Sequence, residues 1–291
     1  MLDNKLFGGE ILAKRSRKNS IDKKLKEGRG IGAGIDYKPW LVIQDVSSLG
    51  RSTRLKGIKI PRQYEFLSDL EKNYFYLLEF SDYVVDIREQ YPLLPLEDTL
   101  LIADELGIIH PRNPQTNEPI VMSTDFVVTM KNDGNIKDHA RTVKMKKELS
   151  NERILEKFEI ERVYWERHQI DWGIVTEEEI NKTTAQNIGF VHSYKELTNF
   201  EDFKAFPEIE MEDLLTDYIN RMLRTSSNSI RTISKEFERD FGLNAGSGLT
   251  IFKHLIISKI IDVNLKVKLD INENIPIEAI YKDFSLKESV I

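Results

Sequence analysis

The chain has 291 residues, 40% of them hydrophobic and 31% charged, a balance that supplies a sizeable core and argues against long disordered tracts. It contains no cysteine, which excludes disulfides, thiolate zinc centres and a cysteine nucleophile and fits a reducing cytoplasm. The net charge of −6 is uneven: residues 1–62 hold 15 Lys or Arg against 6 Asp or Glu, leaving 27 against 42 for the rest, so a phosphate-binding footprint is expected in the N-terminal stretch.

That stretch, to about residue 60, reads as an extended basic arm with Lys26, Arg29, Lys38, Arg51 and Arg54 as candidate DNA contacts. From charge alone a solvated basic tail fits as well. The glycine run Gly28-Arg29-Gly30-Ile31-Gly32-Ala33-Gly34 has no strand before it and no helix pattern after it, so it reads as a loop and not as a dinucleotide fingerprint. Ser68 and Glu71 then stand at capping-box spacing before the apolar segment Tyr74 to Phe80, which predicts a helix of about three turns. Val84 to Tyr91 reads as a strand stopped by Pro92 and Pro95. After a loop carrying Pro111, Pro114 and Pro119 come a strand from Val121 to Met130, a turn at Asn132-Asp133-Gly134-Asn135 and a returning strand from His139 to Met145. Residues 152–168 predict a helix and Asp171 to Thr176 a short strand, so residues 1–177 form an α/β domain. Beyond residue 178 three helices are expected, Met211 to Leu223, Ile230 to Phe241 and Leu249 to Ile260, with a strand from Ile261 to Leu269. These suggest a smaller, mainly helical winged-helix-like domain over residues 178–291. No apolar run approaches bilayer length, and the N-terminus lacks a signal-peptide core.

The chemistry concentrates in the hairpin of residues 121–145. With its turn at Asp133-Gly134-Asn135, Asp125 falls opposite Thr142 or Lys144, and in both registers the three share one face. Asp125 with Thr142-Val143-Lys144, and Glu71 on a preceding helix, is the arrangement of PD-(D/E)xK restriction-endonuclease-like domains, with Thr142 in the second-acid position. Magnesium prefers oxygen ligands and is held by one or two carboxylates with substrate phosphate. Glu71 and Asp125 supply carboxylates and Thr142 a backbone carbonyl, while Lys144 can orient the attacking water or stabilise charge in the transition state. Taken alone, the same residues also fit a strand-edge carboxylate, a solvated lysine and a helix-capping acid. The five histidines share no ligand-like spacing, no phosphate loop occurs, and Trp40, Trp165 and Trp172 fit core or interface anchors.

Six blocks extend well beyond the hairpin: Lys26-Glu27-Gly28-Arg29-Gly30, Tyr37-Lys38-Pro39-Trp40-Leu41, Leu67-Ser68-Asp69-Leu70-Glu71, Asp86-Ile87-Arg88-Glu89-Gln90-Tyr91-Pro92-Leu93-Leu94-Pro95, Met122-Ser123-Thr124-Asp125-Phe126, and Leu155-Glu156-Lys157 with Glu159, Glu161, Tyr164 and Trp165. In this order they resemble the TnsA endonuclease family over roughly residues 20–177. The resemblance implies a catalytic core of Glu71, Asp125 and Lys144, metal ligands from Glu71, Asp125 and Thr142, and Glu161 as an additional group near the metal. It implies one or two Mg2+ ions, with Mn2+ able to substitute. The family commonly carries Gln where Thr142 stands. It further implies cleavage of double-stranded DNA at the 5′ ends of a transposon, alongside a TnsB-like DDE-type recombinase and a TnsC-like ATP-dependent regulator, in the prokaryotic cytoplasm at the nucleoid.

Two other readings stay open at this point. One is a stand-alone restriction or repair nuclease; the other is a DNA-binding assembly adaptor whose nuclease site has decayed.

Overall fold

The computed structural model describes residues 21–46, 51–224 and 227–281, and the chain divides into two units, Met1–Ile180 and Asn181–Ile291. In the first, a helical stretch over residues 21–26 (α1) is followed by an antiparallel hairpin, β1 (Thr53–Lys56) and β2 (Gln63–Phe66). Helix α2 (Asp69–Phe80) leads into β3 (Val84–Pro92), and α3 (Leu96–Glu105) into the long hairpin of β4 (Ser123–Asn132) and β5 (Asn135–Val143). Helix α4 (Glu152–Arg167) then crosses over to β6 (Asp171–Val175). The sheet order is β3-β4-β5-β6, with β6 parallel to β5 and the other pairs antiparallel.

Local chemistry explains these choices. Asp133 and Gly134 both take left-handed backbone angles, φ 48 and 81, as a two-residue hairpin turn requires. That turn pairs Asn132 with Asn135, and the register continues to set Asp125 against Thr142. Of the two registers open in the sequence, the hairpin therefore adopts this one. One sheet face carries Phe126, packed against Phe66 and Tyr74 and so against β2 and α2. The other carries Val127 and Ala140, packed with Ile160, Tyr164 and Trp165 of α4. Two layers thus cover the sheet, and the open end of the β4–β5 hairpin lies between α2 and α4.

The arm expectation needs correction over residues 21–46. This segment lies along β3, the edge strand: Gly34 N donates to Asp86 Oδ2, Tyr37 OH to Glu89 O and Trp40 N to Gln90 O. Covering an edge satisfies backbone groups that would otherwise recruit another chain. Gly30, at φ 72, sits where an added Cβ would come within 2.2 Å of Pro92 Cγ, so the close approach demands glycine. Residues 1–20 of the expected arm lie outside the described residues.

The sequence reading also missed α3, although Leu96, Thr99, Ile102 and Ala103 bury at helical spacing with Glu97 and Asp98 in the first turn. In the second unit, α5 (Lys182–Val191) precedes α6 (Glu208–Arg224), α7 (Ile230–Phe241) and α8 (Ser247–Ile257), so among the described residues four α-helices stand where three were expected. The predicted strand over Ile261 to Leu269 shrinks to β7 (Ile261–Asp262), paired with β8 (Ala279–Ile280). Among the described residues no helix is long and apolar enough to cross a membrane.

Candidate active site

Glu71 occupies the first turn of α2, where the helix dipole favours a negative charge. Ser68 caps the helix by accepting from Glu71 N at 3.2 Å. In return the Glu71 carboxylate accepts from Ser68 Oγ at 2.7 Å and from Leu67 N at 3.0 Å. The capping motif read from the sequence is therefore present, and it turns the carboxylate back toward the sheet. Two donors leave capacity on a group with about four acceptor sites.

Asp125 is held on both oxygens: Val143 N donates to Oδ2 at 2.8 Å and Gln90 Nε2 to Oδ1 at 3.1 Å. The first of these bonds fixes the direction of the neighbouring peptide groups. Because Val143 N–H points toward Asp125, the carbonyl of the same peptide, that of Thr142, points away toward β6. Lys144 N in turn donates to Val175 O of β6, so the Val143 carbonyl faces back toward Asp125. The Thr142 carbonyl is thus misdirected for a ligand beside Asp125, and the Val143 carbonyl is the better-placed neutral oxygen. The Thr142 side chain is occupied as well, since its hydroxyl donates to Glu161 Oε1.

Glu161 lies behind the hairpin on α4, buried against the sheet. Besides Thr142, it accepts from Thr124 Oγ1 at 2.6 Å and Trp172 Nε1 at 3.1 Å, and Trp165 Nε1 donates to Thr124 Oγ1 at 2.7 Å. Burial pushes its carboxyl up to about 7, with these donors pulling the other way. It is a buried acid supporting the hairpin, and not the exposed helix acid that α4 taken alone would suggest.

Glu71, Asp125, Thr142, Val143, Lys144 and Glu161 all line one cleft of about 460 Å³. Burial, then the charge of Asp125, pushes the Glu71 carboxyl up, and burial pushes Asp125 up. Lys144 favours ionisation of both, but it also pairs with Glu148 at 2.8 Å. Two desolvated carboxylates beside each other with partial compensation form a site that gains from a bound cation. The donor set, two carboxylates and a backbone carbonyl, suits a hard divalent ion that keeps several waters. Among the described residues no group of three or more His, Asp or Glu side chains forms an all-side-chain metal cage.

The basic candidates separate. Arg29 spends its guanidinium internally on Glu27, at 2.8 Å, and on Asp45, which leaves little of it for phosphate. Lys38 donates to Glu27 O, and Arg54 pairs with Glu65 at 3.0 Å, yet both residues remain exposed, as do Lys26 and Arg51. Two further residues at the site had no role assigned from the sequence. Lys157 lines the cleft, and burial together with the positive charges of Arg153 and Lys144 lowers its pKa. Gln90 meets Asp125 from the neighbouring strand. Both sit in blocks that the sequence comparison already marked, but a side chain's partner across a sheet is set by register, which local pattern does not reveal.

Residues 81–177 match the family model described as TnsA-like endonuclease N terminal, and residues 179–265 match that of the TnsA endonuclease C terminal. The chain is also 39% identical over 245 residues to the Transposon Tn7 transposition protein TnsA of Escherichia coli, an alignment covering 84% of this chain and 85% of that protein.

Proposed function

The chain belongs to the TnsA endonuclease family, and from that premise we propose that it hydrolyses DNA phosphodiester bonds at the 5′ ends of a transposon, using a PD-(D/E)xK-type site built on Glu71, Asp125 and Lys144. The carrying observation is the meeting of Glu71, Asp125 and Lys144 in one cleft, with Asp125 fixed by Val143 N–H. Glu71 and Asp125 would hold Mg2+, or Mn2+ in its place, one or two ions per site, with the Val143 carbonyl as neutral ligand instead of the expected Thr142 carbonyl. When bound, such an ion activates water and neutralises charge on the phosphate. Lys144 presents its ammonium to the same cleft, where it can orient the attacking water or stabilise the charge that builds on the phosphoryl oxygens. Glu161 and Thr142 hold the hairpin that carries Asp125 and Lys144.

The exposed Lys26, Lys38, Arg51 and Arg54 are read as backbone contacts that position DNA without reading its sequence. We read the second unit as winged-helix-like, with the residues between β7 and β8 as its wing. Its last helix, α8, buries Thr250, Ile251, Phe252, Leu255, Ile256 and Ile257, so the helix that reads base edges in DNA-binding relatives of this architecture belongs here to the core. That favours contact with partner proteins, a DDE-type recombinase that cuts and joins the 3′ ends and an ATP-dependent regulator. A prokaryotic cytoplasm, at the nucleoid, is the setting this implies. The meeting of the three groups in one cleft speaks against a decayed adaptor. The test is metal-dependent nicking of supercoiled DNA carrying transposon ends, with and without the recombinase. Absence of any Mg2+- or Mn2+-dependent cut in the full mixture would defeat the nuclease reading.

A further inference from the structure

Gln90 stands in the middle of β3 with φ 49, in the left-handed region that non-glycine residues rarely enter because the side chain crowds the backbone there. A single strained residue inside a regular strand persists only where its surroundings over-determine it. The ladder shows where the strain is used. Glu89 pairs with Phe126 and Tyr91 with Thr124, so the register sets Gln90 opposite Asp125, and the two strands are not paired there.

Three neighbours then fix the residue. Its carbonyl accepts from Trp40 N at 3.0 Å. Its Oε1 accepts from Ser123 Oγ at 3.1 Å, and its Nε2 donates to Asp125 Oδ1 at 3.1 Å. The carboxylate settles the sense of the amide: it only accepts, so the NH2 must face Asp125, and the amide oxygen then takes the hydroxyl of Ser123, which can turn to donate. The side chain is buried, 3% exposed, so no solvent competes for these bonds. Only an amide of this length offers an acceptor to Ser123 and a donor to Asp125 together; a glutamate would set one carboxylate against another.

We propose that Gln90 is a positioning residue: its amide and the Val143 N–H together fix the plane of the Asp125 carboxylate, leaving each oxygen a free lone pair directed into the cleft for a divalent cation. This rests on the reading of Asp125 as a metal ligand. Second-layer hydrogen bonds of this kind orient a ligand before the ion arrives. The strained backbone at Gln90 and its tie to Trp40 are then the means by which the segment covering β3 holds the amide on target.

The test uses the full chain and Mn2+ as probe. The rise of the unfolding temperature with Mn2+ concentration reports ion binding without any cleavage, and nicking in the presence of the recombinase is measured in parallel. Gln90→Met keeps the length and removes the amide, whereas Gln90→Gly also removes it but accepts the positive φ without strain. Both variants should need roughly ten to a hundred times more Mn2+ for the same thermal shift, with nicking recovering in part at saturating metal. If Gln90→Met fails to fold, Gln90→Gly decides. Wild-type Mn2+ dependence in a folded variant would show that the amide does not position Asp125. A wild-type chain whose unfolding ignores Mn2+ would instead sink the metal reading of Asp125, and this proposal with it.

Discussion

The backbone N–H of Val143 and the carboxylate of Asp125 meet at 2.8 Å between neighbouring strands, tying the strand end that precedes Lys144 to a carboxylate of the same cleft. The same acid pushes up the pKa of Glu71, so without a cation the pair is a local electrostatic cost. Asp125→Asn keeps an oxygen for Val143 N–H while removing the charge. Cleavage should fall by roughly a thousandfold or more, because a carboxylate ligand and its share of transition-state stabilisation are lost. The unfolding temperature in EDTA should stay level or rise, since relief of like-charge repulsion is a stability gain made at the expense of function. Nicking at the normal rate by this variant would overturn the active-site assignment.

Glu161 gives a pH dependence with a definite sign. Its folded pKa is raised to about 7, above the ordinary carboxyl value near 4.3, so the folded state holds the proton more tightly than the unfolded chain. The stabilisation is complete below the unfolded pKa and is lost as pH rises toward 7. The difference over that window is on the order of 3 kcal/mol for this single group. Glu161→Gln, which keeps an acceptor for Thr124 and Thr142, should flatten the fall of unfolding free energy between about pH 4.5 and 7. Urea denaturation in EDTA across that range is the measurement. An unchanged slope in the variant would mean Glu161 stays ionised throughout.

What was legible in the sequence depended on whether the signal was local. Ser68 and Glu71 announce the start of α2, and Asp133-Gly134 the hairpin turn, because caps and tight turns are written within a few residues. That turn narrows the residue facing Asp125 to Thr142 or Lys144, and the observed pairing selects Thr142. The direction of the Thr142 carbonyl was not legible, since it depends on which strand lies on each side of β5, and the β6 partnership is made across α4. Gln90 was hidden for the same reason. The glycine run pointed to a loop, but not to its packing: the bonds from Gly34, Tyr37 and Trp40 run to β3, some fifty residues away. In the second unit, α8 was found by its apolar content, whereas the short β7–β8 pair rests on contacts between distant segments.

The packing of residues 21–46 on β3 also shifts where the N-terminus can be cut. Removing residues 1–30 would take away Gly28 and Gly30 and unseat the segment that holds Gln90. Removing only residues 1–20 deletes Lys5, Lys14, Arg15, Arg17 and Lys18 against Asp3 and Glu10. If these cations reach phosphate, log affinity against log salt should lose roughly one unit of slope per contact. Metal-dependent thermal shifts should be unaltered in the same variant. A salt slope equal to that of the full chain would make the first 20 residues bystanders.

The final prediction is that the purified chain cuts transposon ends poorly unless the recombinase is present. Beyond residue 62 it carries 27 basic against 42 acidic residues, so the field over most of its length repels DNA. The basic side chains Lys26, Lys38, Arg51 and Arg54 are exposed, and any contact they make with the DNA backbone would carry no sequence information. Helix α8, the element that would read base edges in a DNA-binding winged helix, has no exposed residue. Affinity and sequence choice must then come from a protein that binds the ends itself, with the second unit the more suitable surface for it. Deleting residues 181–291 should accordingly leave the Mn2+-induced thermal shift of the remaining unit in place while uncoupling cleavage from the recombinase. End-specific cleavage is to be compared at physiological salt with the chain alone, with recombinase, and with the truncated chain plus recombinase. Efficient, site-specific double-strand breaks by the chain alone would defeat the subunit reading and favour a stand-alone restriction-type nuclease.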